Sequence, residues 1–399
     1  MSAPPEIDLT DPQFKIDPYP IYARLRTEAP VCRARAGFFG QVWLITRYDD
    51  VAAAIRDERF TKDFRKVRRP EAQLLRIVGP LNRHMLNVDQ PDHTRLRALV
   101  QKAFTTRFVE NMRLRIESLT EQLLDRVTGQ REMDIVRDYS QPLPTTVIAE
   151  MLGVPVRDRE RFQRWSAALV DFSGLLSLFL AAPSAWALLR YIRGLVTLRR
   201  RHPEDDLISA LVAAEEAGDK LNEDELLAMI SLLLLAGFET TVNLIGNGTL
   251  ALLEHPSEME RLRSQPELMP SAVEELLRYD SPIKLATPRW TQCEVTIGGL
   301  KIPPHAGLAI AIASANRDPQ QFENPDALNL AREPNRHLSL GQGIHYCLGA
   351  PLARLEGQIA FTTLLRRFPH LRLAVPREAL RWRKSMPLRG LESLPVSLG

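Results

Sequence analysis

The chain has 399 residues, of which 45% are hydrophobic and 25% charged, and this balance is typical of a globular protein in water. A net charge of +3 is too small to indicate a nucleic-acid partner. The three cysteines, Cys32, Cys293 and Cys347, are too few and too scattered for a disulfide framework and favour a reducing compartment. We therefore expect a cytoplasmic protein.

The N-terminal residues have neither a basic region nor an apolar core, so we expect no signal peptide and no transmembrane anchor at this end. Between residues 1 and 399 there is no Gly/Ser-rich or Pro-rich linker, no repeat and no low-complexity tract. The sequence therefore predicts a single domain over residues 1–399.

Apolar residues recur at three-to-four spacing in several segments, and this periodicity predicts helices. The segments are 49–57, 95–103, 113–127, 143–152 and 205–217. Alternating apolar residues predict short strands at 41–46, 293–297 and 308–312. The fold class that follows is mainly α, with a large helical body and small β-sheets.

The stretch that begins at Lys62 is strongly basic, with five cations before residue 70: Lys62, Arg65, Lys66, Arg68 and Arg69. A solvated charge run is one explanation. The other is a rim of cations that attracts an anionic substrate.

Residues 226–253 contain one charged side chain, Glu239, and are long enough to cross a bilayer. A helix that is apolar nearly all round is equally typical of a large protein core. Asn243 and Asn247 in its second half favour the core helix. At its middle, Gly237 is expected to let the helix open locally, Thr240 to hold a small ligand by its hydroxyl, and Glu239 to relay protons.

Glu275 and Arg278 are three residues apart in a helical pattern, so they share a face and can pair. An ordinary surface ion pair is the simplest explanation of this spacing, and it would stabilise the fold by well under about 1 kcal/mol.

Cys347 lies in a glycine-rich loop with Gly341 and Gly343 before it and Gly349 after it. A helix-forming stretch follows at once, and a helix N-terminus stabilises a thiolate. Gly349 leaves the helix surface bare, as a flat ligand lying against it requires. The alternative is a buried structural cysteine in a glycine-rich turn.

Together these motifs resemble the cytochrome P450 family, and segments 17–26 and 315–319 extend the resemblance over nearly the whole chain. The resemblance implies the cytochrome P450 fold and haem b with Cys347 as the axial iron ligand. It also implies that Glu239 and Thr240 are the acid–alcohol pair, and that Arg332 joins Glu275 and Arg278 in a buried structural cluster. Leu340 departs from the family, which usually has phenylalanine there, so the aromatic contact with the sulfur is replaced by an aliphatic one.

The resemblance further implies which side chains bind the haem carboxylates, for which arginine is well suited. They are His93, Arg97, Arg289 and His345, with Gly349 packed against the ring. It also implies which residues contact the substrate, and their apolar character favours a bulky hydrophobic small molecule. They are Phe64, Met85, Leu175, Leu235, Ala236, Ile283, Leu285 and Leu388.

The activity implied is that of a monooxygenase that hydroxylates or epoxidises such a molecule with O2 and two electrons, as soluble bacterial members do with macrolides and fatty acyl chains. The sequence has no flavin or iron–sulfur signature, so the electrons are expected from separate proteins such as a ferredoxin and its reductase. Two alternatives stay open, a peroxide-driven peroxygenase and a haem-binding sensor. The presence of both Glu239 and Thr240 counts against the peroxygenase.

Overall fold

The computed structural model describes residues 7–67, 83–168, 175–216 and 221–399. Helices dominate it, and the predicted mainly α class is confirmed. The helices α1 to α15 are Pro12–Ile16, Tyr19–Glu28, Tyr48–Arg56, Asp92–Ala103, Thr106–Asn111, Arg113–Asp125, Pro142–Met151, Arg159–Ala168, Leu175–Arg201, Leu207–Glu216, Glu223–Glu254, Pro256–Ser264, Met269–Tyr279, Ile312–Ala315 and Ala350–Arg367.

The strands are short and form small sheets beside the helices. Strands β1 to β11 are Ile7–Asp8, Val31–Arg35, Gln41–Ile45, Phe60–Thr61, Glu132–Asp134, Arg289–Thr291, Val295–Ile297, Leu300–Ile302, Gly307–Ile310, Arg372–Leu373 and Pro395–Ser397. Among the described residues, the largest sheet has the order β1-β2-β3-β9-β6-β4, with β3 parallel to β9 and antiparallel to β2. Strands β10, β11 and β5 form a second sheet, and β7 and β8 form a hairpin.

Helix α11 is the central element of the helical body. It begins with a capping box, in which the Asn222 side chain accepts from the Glu225 amide at 2.8 Å. It ends at Glu254, and His255 is the C-cap residue before Pro256. By its length and composition α11 could cross a membrane, but most of it is buried by other parts of the chain. This burial is typical of a core helix.

Helix α11 packs against α7, α13 and α15. Of these, α13 carries Glu275 and Arg278, and α15 directly follows the loop that carries Cys347. The loop with Cys347 lies between α13 and α15 in the chain. The predicted strands at 41–46, 293–297 and 308–312 correspond to β3, β7 and β9, and each predicted end lies within two residues of the observed one.

Candidate active site

The cysteine loop is a tight turn that requires its glycines. Gly341 and Gly343 have φ of +71° and +69°, a backbone region that residues with a Cβ rarely adopt. The Cys347 amide donates to the Leu340 carbonyl at 2.8 Å and closes the loop. The loop is tied to the scaffold because Asn316 accepts from the Leu338 amide at 2.7 Å.

Cys347 lies three residues before the start of α15, and the backbone amides of Gly349 and Ala350 point toward its sulfur. Burial raises the pKa of the Cys347 thiol, against the opposing effects of the Gly349 amide and of Arg97 and Arg354. The amide and the two cations favour the thiolate, but burial outweighs them. A bound cation next to the sulfur removes that cost, because a coordinating thiol loses its proton.

Behind this loop, Glu275 accepts from Arg278 and Arg332 in one cluster. Arg278 donates at 2.7 and 2.8 Å, and Arg332 at 3.0 and 3.1 Å. The side chains of Glu275 and Arg278 have no exposed surface. The remaining donors of Arg278 bind the carbonyl oxygens of residues 316, 325 and 327. The surface-pair explanation is therefore wrong for this geometry, because a fully buried pair with all its partners satisfied belongs to the scaffold.

A nitrogen-rich cleft lies beside the cysteine loop, and it contains the side chains that we expect to bind carboxylates. The rings of His93 and His345 meet edge to face with centroids 4.4 Å apart. Arg97 donates to the Tyr346 carbonyl at 2.8 Å, and Arg289 donates to the carbonyls of Ala54 and Ile55. The structure thus brings all four predicted residues to one place.

Two further side chains in this cleft were missed by the sequence reasoning. Lys62 is 4% exposed, and its ammonium has no hydrogen-bond or ion-pair partner among the residues that the structure describes. Burial and then the nearby Arg289 lower the pKa of Lys62 well below its usual range. Burial and then Lys62 lower the pKa of His84 to about 4. The sequence assigned Lys62 to a solvated or substrate-facing run, so nothing in it indicated an inward orientation.

The cleft fits the charged edge of a haem on two observations of this structure. Buried nitrogens without partners among the described residues point into it, namely both ring nitrogens of His93, Nδ1 of His84 and Nε of Arg289. Buried polar nitrogens of this kind are costly unless a ligand or water satisfies them. In addition, a Cβ at Gly349 would lie 4.0 Å from the Cys347 sulfur with no other heavy atom that close, so this side of α15 is open.

Near its middle, α11 leaves one face uncovered by the described residues. Leu235 and Thr240 are half-buried and Ala236 is exposed, although most of the helix is buried. Ala236 and Thr240 are four residues apart and share this face. The Thr240 hydroxyl donates to the Ala236 carbonyl at 3.2 Å, while Glu239 is buried and pairs with Arg383 at 2.6 Å.

The expectation that Gly237 opens the helix is wrong for this structure. Helix α11 is continuous across residues 236–240. A Cβ at Gly237 would lie 3.0 Å from Cδ1 of Ile148, so this glycine permits the close approach of α7 instead. Its side of the helix is packed, which leaves the open face to Ala236 and Thr240.

The eight residues expected to contact substrate do not all lie together. Ile283 and Leu388 are half-buried and form an antiparallel bridge. Leu285 is 3% exposed and packs with the core beneath the largest sheet, and the Phe64 ring packs with Val67 and Trp290.

Leu285 and Phe64 thus support neighbouring elements, and a direct substrate contact is not indicated for either. Met85 is buried in the main core, with its amide 3.3 Å from the Met229 sulfur. The side chain of Leu175 lies outside the described residues.

The described part of the basic stretch gives the rim of cations no support. Lys62 points inward, Arg65 pairs with Asp63 at 2.6 Å, and Lys66 pairs with Asp89 at 2.9 Å. Each surface cation thus has its own carboxylate close by. Arg68 and Arg69 lie outside the described residues.

Glu356 on α15 is a second feature that no sequence pattern indicated. It is 1% exposed, and neither carboxyl oxygen makes a well-formed hydrogen bond to a described residue. Burial raises the pKa of Glu356 to about 8, although the Thr241 hydroxyl of α11 opposes the rise. Burial thus favours the protonated form of Glu356, which lies near Thr241, the residue that follows Thr240.

With this geometry established, the chain is similar to known proteins along nearly its whole length. Residues 190–378 match the family model described as Cytochrome P450. The polyketide biosynthesis cytochrome P450 PksS of Bacillus subtilis is 50% identical over 394 residues, which cover 97% of both chains. The 6-deoxyerythronolide B hydroxylase of Saccharopolyspora erythraea is 42% identical over 402 residues, covering 98% of both.

Solved structures are similar to the same extent. That of PksS has a TM-score of 0.93 and 48% identity, covering 98% of this chain and 99% of the other. That of the myxobacterial cytochrome P450 CYP267B1 in complex with myristic acid has a TM-score of 0.92 and 43% identity, covering 98% of both chains.

Proposed function

This chain belongs to the cytochrome P450 family, and from that premise we propose that it hydroxylates or epoxidises a macrolactone-type or related polyketide skeleton. It is a haem-thiolate monooxygenase and an oxidoreductase, and its class combines O2 with electrons from other proteins. When bound, the haem supplies the activation of dioxygen that inserts one oxygen atom into the substrate. The chain's own residues bind the haem, orient the substrate and deliver protons.

We propose that Cys347 would hold the haem iron through its thiolate sulfur. His93, Arg97, Arg289 and His345 are proposed to bind the haem carboxylates, and Lys62 and His84 to add to this set. Support comes from the unpartnered buried nitrogens of the cleft, which need hydrogen-bond partners that the described residues do not provide. Gly349, which has no side chain, would leave room for the haem ring to pack against the backbone.

The single observation that carries the proposed reaction is the open face of α11, where an exposed Ala236 lies one turn from the hydroxyl of Thr240. A substrate packed on Leu235 and Ala236 has Thr240 within reach of the reacting position. Thr240 is proposed to hold a water or a proton there, and Glu239 to pass protons to it. Apolar Ile283 and Leu388 orient the substrate and exclude water.

The substrate class is supported by the apolar residues on this face and by the names of PksS and 6-deoxyerythronolide B hydroxylase. Carboxylate recognition receives no support, because Arg65 and Lys66 are already paired with Asp63 and Asp89. The proposed electron donor is a ferredoxin with its reductase. The proposed location is the cytoplasm, supported by the burial of α11.

The test uses 6-deoxyerythronolide B as the macrolactone probe and myristic acid as the fatty acid probe. The haem-loaded protein with NADPH, ferredoxin and ferredoxin reductase is expected to bind and oxidise the macrolactone more efficiently than the acid. Oxidation of myristic acid with no binding of the macrolactone would contradict the substrate class.

In Thr240→Ala, NADPH consumption is expected to continue while hydrogen peroxide replaces most of the product. Thr249→Ala, whose hydroxyl bonds the Ile245 carbonyl farther along the same helix at 2.7 Å, is the matched control. Unchanged coupling in Thr240→Ala would remove Thr240 from the proposed mechanism.

A further inference from the structure

Polar side chains form a stripe along one side of the apolar helix α11. Glu239, Asn243 and Asn247 are spaced by four residues, so they share a face. All three are buried. A buried polar stripe requires polar partners, and one segment near the C-terminus supplies them.

That segment is residues 382–391, called here the C-terminal hairpin. Trp382 and Leu391 form an antiparallel bridge, and the Arg383 amide donates to the Gly390 carbonyl at 2.9 Å. The hairpin lies against the stripe at three points. Arg383 pairs with Glu239 at 2.6 Å, and Asn247 donates to the carbonyl of Arg389 at 3.0 Å.

Between these two points, Gly390 lies so close to Asn243 that a Cβ there would be 1.9 Å from the amide oxygen. The hairpin backbone is thus seated directly on the helix. Its register is set by the absence of a side chain at Gly390, which fixes where the Arg383 guanidinium reaches α11.

The same hairpin carries a wall of the proposed substrate cavity. Leu388 bridges Ile283, and the Lys284 amide donates to the Pro387 carbonyl at 2.7 Å. One short segment therefore supplies both a substrate contact and the cation that holds Glu239.

The ion pair also separates Glu239 from solvent. The side chain of Glu239 is 6% exposed and that of Arg383 is 17% exposed. An opposite charge within hydrogen-bonding distance favours the ionised carboxyl, and at this degree of burial solvent screens the pair only partly. Within this pair the Arg383 guanidinium is the group that the Glu239 carboxylate points to.

We propose that Arg383 is the positioning residue of the proton relay, which holds Glu239 ionised and turned toward the C-terminal hairpin until a proton is taken up. This inference rests on the proposed role of Glu239 and Thr240. Arg383 itself touches neither substrate nor haem in this account and acts through Glu239.

The first test measures the protonation of Glu239 itself in the haem-loaded enzyme. The carboxylic acid C=O band in infrared difference spectra is recorded as the pH is varied. Glu239→Gln identifies the band by its loss. In Arg383→Gln the band is expected to appear at a pH higher by at least about one unit, because the counter-charge is gone. Arg383→Lys keeps a cation and is expected to restore most of the original titration.

Arg377→Gln is the matched control, because Arg377 also pairs a glutamate of α11, Glu254, but at the exposed end of the helix. It is expected to leave the band unchanged. Identical titrations in wild type and Arg383→Gln would overturn the proposal.

Turnover gives an independent readout, with 6-deoxyerythronolide B as the probe. The pH above which peroxide replaces product is expected to rise in Arg383→Gln, and this shift is expected to vanish in the Glu239→Gln background. A shift that persists there would show that Arg383 acts through the fold and not through Glu239.

The experiments also distinguish an error in the proposed Glu239–Thr240 relay from an error in the role of Arg383. Full coupling in Thr240→Ala would reject the proposed relay, whereas the infrared band would still decide whether Arg383 controls the protonation of Glu239.

Discussion

His93 of α4 and His345 of the cysteine loop meet edge to face, with ring centroids 4.4 Å apart. Arg97, one turn after His93, binds the carbonyl of Tyr346 beside the cysteine. These two contacts join α4 to the loop that carries Cys347. The carboxylate-binding nitrogens and the candidate thiolate ligand are therefore held in one rigid arrangement.

Lys62 gives the first prediction, because an unpaired buried ammonium is costly in the apoprotein and useful in the haem-loaded protein. In Lys62→Met we expect haem transfer to apomyoglobin to be about tenfold faster, because one charge-assisted contact to a carboxylate is lost. Urea unfolding of the apoprotein is expected to occur at the same or a higher urea concentration.

Lys66→Met is the control for this change. Lys66 is four residues along, about half exposed, and paired with Asp89, so both of its effects are expected to be small. Equal rates of haem loss from wild type and Lys62→Met would contradict the assignment of Lys62 to the haem site.

The buried histidines predict acid sensitivity of the apoprotein. Burial lowers the pKa of both His84 and His93 to about 4, below the usual value of 6.5. Between pH 6.5 and 4 the unfolded chain binds protons that the folded chain does not, so stability falls as the pH falls. We expect a loss on the order of 1–2 kcal/mol for each histidine between pH 7 and pH 5.

The measurement is the urea midpoint of the apoprotein at pH 7 and pH 5. The double variant His84→Gln/His93→Gln is expected to lose clearly less stability over this interval. The same loss in wild type and variant would show that these histidines do not cause the acid sensitivity.

The Glu275 cluster predicts a large effect from loss of a single charge. In Glu275→Gln the guanidinium groups of Arg278 and Arg332 lose their only ion-pair partner among the described residues while they stay buried. We expect a destabilisation of about 3–5 kcal/mol, measured by urea unfolding of the haem-loaded protein. Glu260→Gln, which affects an exposed pair with Arg263, is expected to cost under about 1 kcal/mol. Similar midpoints for the two variants would contradict a structural role for the cluster.

Much of this arrangement was predictable because local patterns determine it. Periodicity indicated the helix around residues 49–57, and the long apolar run indicated the helix over 226–253. The glycines around Cys347 indicated a tight loop, and Gly341 and Gly343 have the positive φ values of such a loop. The meeting of Glu275 with Arg278 follows from helical spacing alone.

Other features depend on contacts between distant segments, which no local pattern records. Lys62 belongs by sequence to a basic run, and only the packing of β4 against β6 turns it inward toward Arg289. The partner of Glu239 comes from residue 383, in a hairpin that has no sequence signature. Gly237 was interpreted as a point of opening because its contact with Ile148 is not visible in the sequence.

The central claim is that Cys347 holds the haem iron as a thiolate, and the carbon-monoxide difference spectrum of the reduced protein tests it most directly. Cys347→Ser is expected to lose the thiolate-type band, while Cys32→Ser and Cys293→Ser keep it, since neither lies in a comparable loop. If the band survives in Cys347→Ser, the assignment of the ligand is wrong.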